Sequence, residues 1–388
     1  MKVLFSCVVG PGHFHPMVPL ARALEAHGHR VSFATDPGLC AYVRGVGFEA
    51  HPAGLDQREA NERFDAIMPG SEWEAIAPED GMGHLLSRLF GQIRVPPMLD
   101  DLGRIFAEWL PELVIHETAE MAGAIAAEVA GIPHVEHSFG ILRPAVERRL
   151  ATEAVAAISA GLGVRNPGVG GIAGELYLDI CPPGIQHPEI ADVPHVQRIR
   201  PMGFDSAPDA VLPGWVADLP SRPTVYITMG TYFNNAVDVF KAVLDGLRDE
   251  PLNVIVTVGK DGDTALLGPQ ADNVRVERYI PQSQLLPYCD LFVSHAGSGA
   301  LLGALNAGVP MLAIPQGADQ FTNAERIVDV GLGLRLMPSD LNPIAVRDST
   351  WRLLGDGQFA RVARSQQAAI ENMPAPESVV PVLEGLVR

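Results

Sequence analysis

The chain repeats one pattern: a short, almost wholly apolar run, a turn marked by glycine, then a stretch with helical spacing. KVLFSCVV (residues 2–9) is the first such run. An extended segment that is apolar on both faces fits a parallel strand buried on both sides; a half-exposed strand would alternate. The run turns over Gly10 and Gly12 into a segment where Val18, Leu20, Ala21, Leu24 and Ala26 form a stripe for burial. Pro16 stands near the start of that helix, where its missing N–H costs little, and Gly28 ends it. RVSFAT and ELVIHE (112–117) read as further strands, MAGAIAAEVAG as a helix, and HVEHS as another strand. Strands alternating with helices imply a parallel, doubly wound sheet.

The pattern lapses twice. Between Asp56 and Pro97 no clear period survives; irregular helices over a sheet edge and a mobile wall for an apolar ligand both fit. Residues 181–223 are rich in proline and poor in helix formers, and read as an interdomain linker. The alternation then restarts with TVYITMG, VDVFKAVLDGLR, NVIVTVG, NVRVERYI, DLFVSHAG, GALLGALNAG and PMLAIP. At roughly 150 residues per domain, the 388-residue chain suits two domains. The expected architecture is α/β, with two Rossmann-like, doubly wound halves facing across a cleft. The expected boundaries are 1–205, a linker at 206–222, 223–370, and a proline-broken tail at 371–388 that crosses back as a helix to the first domain.

Hydrophobic residues make up 47% of the chain and charged residues 19%, ample for two cores. The formal charge of −18 repels phosphate backbones and anionic lipid, which argues against nucleic-acid and membrane partners. No uninterrupted run of about 18 apolar residues suggests a membrane span. The N-terminal run could be misread as a signal peptide, but the turn and helix behind it read as a folded βα unit. Cys7, Cys40, Cys181 and Cys289 lie far apart and fit small core residues in a reducing cytoplasm.

Four stretches carry candidate chemistry. In VSHAGSGALLGAL a strand ends near His295, and Gly297, Ser298 and Gly299 open a helix whose N-terminus could hold phosphate; an ordinary glycine-rich turn would look the same. In PQGADQFTNAER, Asp319 and Gln320 could bind the hydroxyls of a sugar, and Asp319 could also cap the helix. In ERYIPQSQLL, Tyr279 offers a ring face to a base and Ile280 its backbone; a core aromatic is the alternative. In TMGTY, Gly230 and Thr231 close a strand at the end where open α/β sheets bind ligands.

Taken in order, these stretches resemble a GT-B glycosyltransferase of the large family that includes plant UDP-glycosyltransferases and bacterial antibiotic glycosyltransferases. GHFHPMVPLARALEAHGHRV resembles the family's N-terminal segment, LPSRPTVYITMGT its entry into the second domain, and residues 279–327 its donor signature. The resemblance implies an acceptor-binding first domain and a nucleotide-sugar-binding second domain. It makes His13 the general base, which suits an imidazole titrating near working pH. The phosphates then sit on the other domain, which explains an imidazole, and His15 beyond it, where a dinucleotide loop wants bare backbone. The family's orienting Asp is matched by Glu117. His295, Gly297, Ser298, Gly299 and Thr231 would hold the pyrophosphate, Asp319 and Gln320 the sugar, and Tyr279, Ile280 and Gln282 the nucleoside.

Gly303 stands where the family commonly has a ribose-binding glutamate, so a dTDP-sugar, in particular a dTDP-deoxysugar, is the expected co-substrate. The expected reaction is an inverting, metal-independent transfer to a hydroxyl of an apolar natural product, with neither metal nor other cofactor. A homodimer is left open. Three rivals compete: a Rossmann dehydrogenase, with Asp36 as its ribose acid; a GT-B sugar-nucleotide epimerase; and a non-catalytic nucleotide-sugar-binding helper.

Overall fold

In a computed structural model of the chain, residues 1–77, 80–164, 174–204, 211–230, 236–260 and 262–387 are described. They divide into two units: Met1–Cys181 with Gln186–Arg200 and Met373–Arg388, and Pro182–Ile185 with Pro201–Asn372.

The first unit is built on seven parallel strands: β1 (Lys2–Ser6), β2 (Arg30–Thr35), β3 (Glu49–Pro52), β4 (Leu113–Glu117), β5 (His134–His137), β6 (Leu176–Asp179) and β7 (Val196–Arg198). Their order across the sheet is β3-β2-β1-β4-β5-β6-β7. Val3, Leu4 and Phe5 of β1 are fully buried, and all five residues of β4 are buried, as central parallel strands require. Removing each of their large apolar side chains from water contributes about 1.5–3 kcal/mol. The chain winds outward from β1 to β3, returns, and continues from β4 the other way. Beyond the carboxyl ends of β1 and β4 the connections diverge and leave a crevice, the place where such sheets bind ligands.

The second unit repeats the plan with β8 (Thr224–Thr228), β9 (Asn253–Thr257), β10 (Val274–Glu277), β11 (Leu291–Ser294), β12 (Met311–Ala313) and β13 (Gly333–Arg335), in the order β10-β9-β8-β11-β12-β13. Its switch point lies between β8 and β11. Val225, Ile227, Val254, Val256, Leu291 and Val293 form the middle of its core.

Two readings of the sequence need correction. The proline-rich stretch 181–223 is not wholly a connector. Residues 186–200 belong to the first unit and supply the turn Pro188–Asp192 and the edge strand β7. Prolines are tolerated beside a short edge strand, so composition did not separate it from a linker. The first unit accordingly ends at Arg200 rather than 205, and the second takes in Pro182–Ile185 and reaches Asn372. Of the expected linker, 206–210 lie outside the described residues, and 211–222 group with the second unit.

Residues 373–388 group with the first unit: helix Pro376–Leu386 packs on helix Val18–Ala26, and the Arg200 N–H donates to the Pro374 carbonyl at 2.8 Å. The stretch without a period contains helix Gln57–Ile67, two short helical turns, and a π-helix at Leu85–Arg94 that runs into helix Val95–Trp109. Gly91 lets that π-helix approach helix Ala145–Gly161, since a Cβ there would meet the Ala154 Cβ at 2.7 Å. Among the described residues no helix is long and apolar enough to cross a membrane.

Candidate active site

In the first unit, the loop after β1 turns at Gly10, whose φ of 117° lies in the region open to glycine. The helical turn Pro11–Phe14 follows and carries His13. Across the switch point, β4 ends at Glu117. His13 Nδ1 lies 3.1 Å from Glu117 Oε2, with side-chain exposures of 18% and 1%. The two atoms are in reach, but the ring is turned so that no aligned hydrogen bond forms. Glu117 Oε1 is fixed by the Ala119 N–H at 3.1 Å. The Phe139 ring stacks on the imidazole, 4.6 Å between centroids and 19° between planes.

Glu120, just beyond, caps helix Met121–Ala130. It accepts from the N–H groups of Ala122 and Gly123 at 2.8 and 2.9 Å, and from Ser6 Oγ at 2.5 Å. A Cβ at Gly123 would stand 2.5 Å from that carboxylate. Burial raises the Glu120 carboxyl to about 7 against these bonds, with the nearby Glu117 adding to the rise. His137, in register with Glu117, is lowered to about 4 by burial. His15 bonds Tyr42 Oη at 2.8 Å.

In the second unit, β8 runs into Gly230 (φ 71°), and β11 into His295, Ala296 (φ 63°) and the N-cap Gly297 of helix Ser298–Ala307. The His295 ring lies against both glycines: a Cβ would meet it at 2.5 Å from Gly230 and 2.6 Å from Gly297. This crowding lowers His295 to about 4, through burial opposed by Asp319, so the ring is neutral at working pH.

Asp319 does not cap its helix as the sequence suggested. Ala318, at φ 54°, swings its carboxylate across to the neighbouring turn. There Oδ2 accepts from Ser298 Oγ at 2.6 Å, the Ser298 N–H at 3.1 Å and Asn323 Nδ2 at 2.8 Å. Gln320 is buried, and its Oε1 accepts the N–H groups of Gln316 and Gly317 at 2.7 and 3.1 Å. At the helix start, Gly297, Gly299 and Ala300 carry N–H groups that helix geometry leaves without an intrahelical acceptor.

Tyr279 is half-buried, with Lys260 Nζ 4.6 Å from its ring centroid; the Ile280 side chain is buried. The Gln282 amide fills the space over Gly303, so a side chain at 303 would require that amide to swing aside. Thr231 lies outside the described residues. The described residues contain no group of three or more His, Cys, Asp or Glu that could hold a metal ion.

Sequence reasoning missed Phe139, Ser6, Glu120 and Asn323. The i, i+4 spacing of Asp319 and Asn323 was a usable signal. Glu120 gave little, since glutamate is not a favoured cap.

Two doubly wound parallel sheets, each with a histidine and a glycine-marked turn at its switch point, are the frame of a GT-B glycosyltransferase. Residues 22–230 match the N-terminal domain of the erythromycin biosynthesis protein CIII-like family and residues 241–386 its C-terminal domain. The chain belongs to that family and is a glycosyltransferase of the bacterial antibiotic group. It is 35% identical to the L-demethylnoviosyl transferase of Streptomyces niveus, over 100% of this chain and 97% of that one. Among solved structures it resembles spinosyn rhamnosyltransferase SpnG complexed with thymidine diphosphate (TM-score 0.82, 26% identity, 99% of this chain and 100% of that chain). It also resembles the glycosyltransferase VinC in complex with dTDP (TM-score 0.80, 27% identity, 100% and 99% covered).

Proposed function

We propose that the enzyme transfers a deoxysugar from a dTDP-sugar to a hydroxyl of an apolar natural product in one inverting displacement, with His13 as general base. The observation that carries this is the His13–Glu117 pair at the β1/β4 switch point, 3.1 Å apart under Phe139. Glu117 on the Nδ1 side favours a proton there and leaves Nε2 as the basic nitrogen. Nε2 takes the acceptor's proton as its oxygen bonds to the anomeric carbon. The bond from that carbon to the diphosphate oxygen breaks, and dTDP leaves with the electron pair. Glu117 compensates the charge gained by the imidazole. Such pairs are often misaligned without substrate and tighten when it binds.

The second unit supplies groups for the leaving diphosphate: the amides at the start of helix Ser298–Ala307 and neutral His295, which can donate without becoming a cation. The Asp319–Ser298–Asn323 network stiffens that turn and leaves Asp319 Oδ1 for a sugar hydroxyl. With Gln320 Oε1 spent on backbone, only its amide N–H groups remain for the sugar. The base stacks on Tyr279 in place of Lys260, and the Ile280 backbone meets its edge. The donor class is supported by Gly303 and the Gln282 amide over it: no carboxylate is present there for a ribose 2′-hydroxyl. The two solved relatives named with thymidine diphosphate point the same way.

Calorimetry of dTDP and UDP, each with and without EDTA, tests the donor half; dTDP binding that is tighter than UDP binding and insensitive to EDTA is expected. Acceptor screening with dTDP-deoxysugars, with His13→Ala as control, tests the rest. Turnover of a sugar nucleotide without acceptor, or undiminished transfer by His13→Ala, would remove this reading.

A further inference from the structure

A partly open recess with room for about one water-sized group lies in the first unit next to the His13–Glu117 pair. Phe90, on its wall, has its ring 6.5 Å from that of His13, and Ala119 and Glu120, which follow Glu117, line another side. The wall is mostly apolar, with Leu55, Phe90, Val95 and Met98 prominent. Phe90 and Arg94 project from the π-helix Leu85–Arg94, a form of helix concentrated at functional sites.

Three charged groups reach the recess: Glu120, Arg94 and Asp36. Both Glu120 oxygens are occupied by Ser6, Ala122 and Gly123. Arg94 donates from Nη2 to Gln57 Oε1 at 2.9 Å and from Nη1 to the Leu55 carbonyl at 3.4 Å. Asp36 is different. It follows β2 and is 4% exposed, and its Oδ1 caps helix Pro37–Val46 by accepting the Gly38 N–H at 2.6 Å. Its Oδ2 accepts no hydrogen bond from any described residue; its one charge partner is Arg94 Nη1, a long ion pair at 4.0 Å. Capping accounts for one oxygen. A buried carboxylate oxygen with no donor is costly unless a ligand brings one.

We propose that the recess is an acceptor subsite, that it takes the hydroxyl of a small ring lying at its mouth, and that this hydroxyl donates to Asp36 Oδ2. Asp36 then selects acceptors by a hydroxyl other than the one His13 deprotonates. The Arg94 cation disfavours an ammonium group, and the apolar wall disfavours a sugar, which leaves a phenol or an alicyclic alcohol. The proposal rests on the reading of the first unit as the acceptor side.

The test uses resorcinol, 3-methoxyphenol and 1,3-dimethoxybenzene as probes, with affinities from ligand-detected NMR on the full chain. Asp36→Asn keeps the capping oxygen and puts an NH₂ where Oδ2 was. Asp36→Ser, also a capping residue, is a second variant without the carboxylate. The wild type should bind both phenols at least tenfold more tightly than the dimethyl ether, and both variants should lose that preference while melting near the wild type. dTDP titration of the same proteins reads the donor site independently: failure there with the phenol preference intact would sink the donor assignment and leave the subsite standing. Wild type that ignores resorcinol, or variants with an unchanged preference, would overturn the subsite.

Discussion

The His295 ring lies against two backbones that have no side chain, so adding a single methyl group should displace it. In Gly297→Ala the new Cβ would stand 2.6 Å from Nε2 and 3.3 Å from Cδ2 and Cε1. The Gly297 backbone, at φ −61° and ψ 153°, accepts alanine without strain, so the cost is steric alone. Relief requires a shift approaching 1 Å in a packed turn, and overpacking of this kind costs roughly 1–3 kcal/mol. For a unit of this size that corresponds to about 2–4 °C per kcal/mol, hence a fall of about 4–8 °C in the second unit's melting transition for a cost near 2 kcal/mol. The displaced ring should also weaken dTDP binding about tenfold, equivalent to about 1.4 kcal/mol.

The assay is differential scanning calorimetry with dTDP titration on Gly297→Ala, His295→Ala and the double variant. Removing the ring removes the clash, so the double variant should melt with His295→Ala, giving a coupling of roughly 1–3 kcal/mol. Gly230→Ala should fall further, because at φ 71° a left-handed backbone adds about 1–2 kcal/mol to the clash. A Gly297→Ala protein that melts and binds dTDP like the wild type, or a double variant whose losses merely add, would refute the wedge.

Glu117→Gln keeps the shape of the pair but removes the charge that compensates the imidazolium, so kcat should fall roughly 10²–10³-fold with a smaller change in acceptor KM, measured by steady-state transfer assays. Glu120 binds its proton more tightly folded, at about 7, than its ordinary 4.5. Its stabilising share is therefore full below 4.5 and is lost as pH rises through 7. Urea unfolding across that window should show Glu120→Gln without that loss, a difference of about 3 kcal/mol between the two curves.

The sheets were legible because their strands are apolar on both faces: KVLFSCVV, ELVIHE, TVYITMG and DLFVSHAG each became a central strand. The glycine-marked turns after KVLFSCVV, TVYITMG and DLFVSHAG lie at the two switch points, and His13 and Glu117 do meet. Short edge strands such as β7 were not legible, since three residues among prolines carry no alternation. The 56–97 segment lacked a period partly because residues 85–94 form a π-helix, whose i→i+5 bonds do not share the 3.6-residue repeat. The cap that the sequence offered for Asp319 beside sugar binding does not form: a carboxylate before a helix looks like a cap, and only the left-handed turn at Ala318 sends it to Ser298 instead. Phe139 over His13 comes from a loop after β5, far away in sequence, and no local pattern announces it.

The return of residues 373–388 to the first unit makes its assembly out of step with translation. Helix Val18–Ala26 is made early, yet the helix that packs on it, Pro376–Leu386, emerges only after residues 201–372 have been made. At the usual pace of a ribosome that interval lasts roughly 10–30 s. Throughout it, the apolar surface later covered by Val379, Val380 and Leu383 has no native cover, and His29 waits for Glu384, its eventual neighbour at 3.1 Å. The nascent chain thus passes through a window of vulnerability to aggregation and chaperone capture. A circular permutant that places residues 373–388 ahead of Met1 would shorten that window, in exchange for the bond between the Met1 amino group and His29 Nδ1.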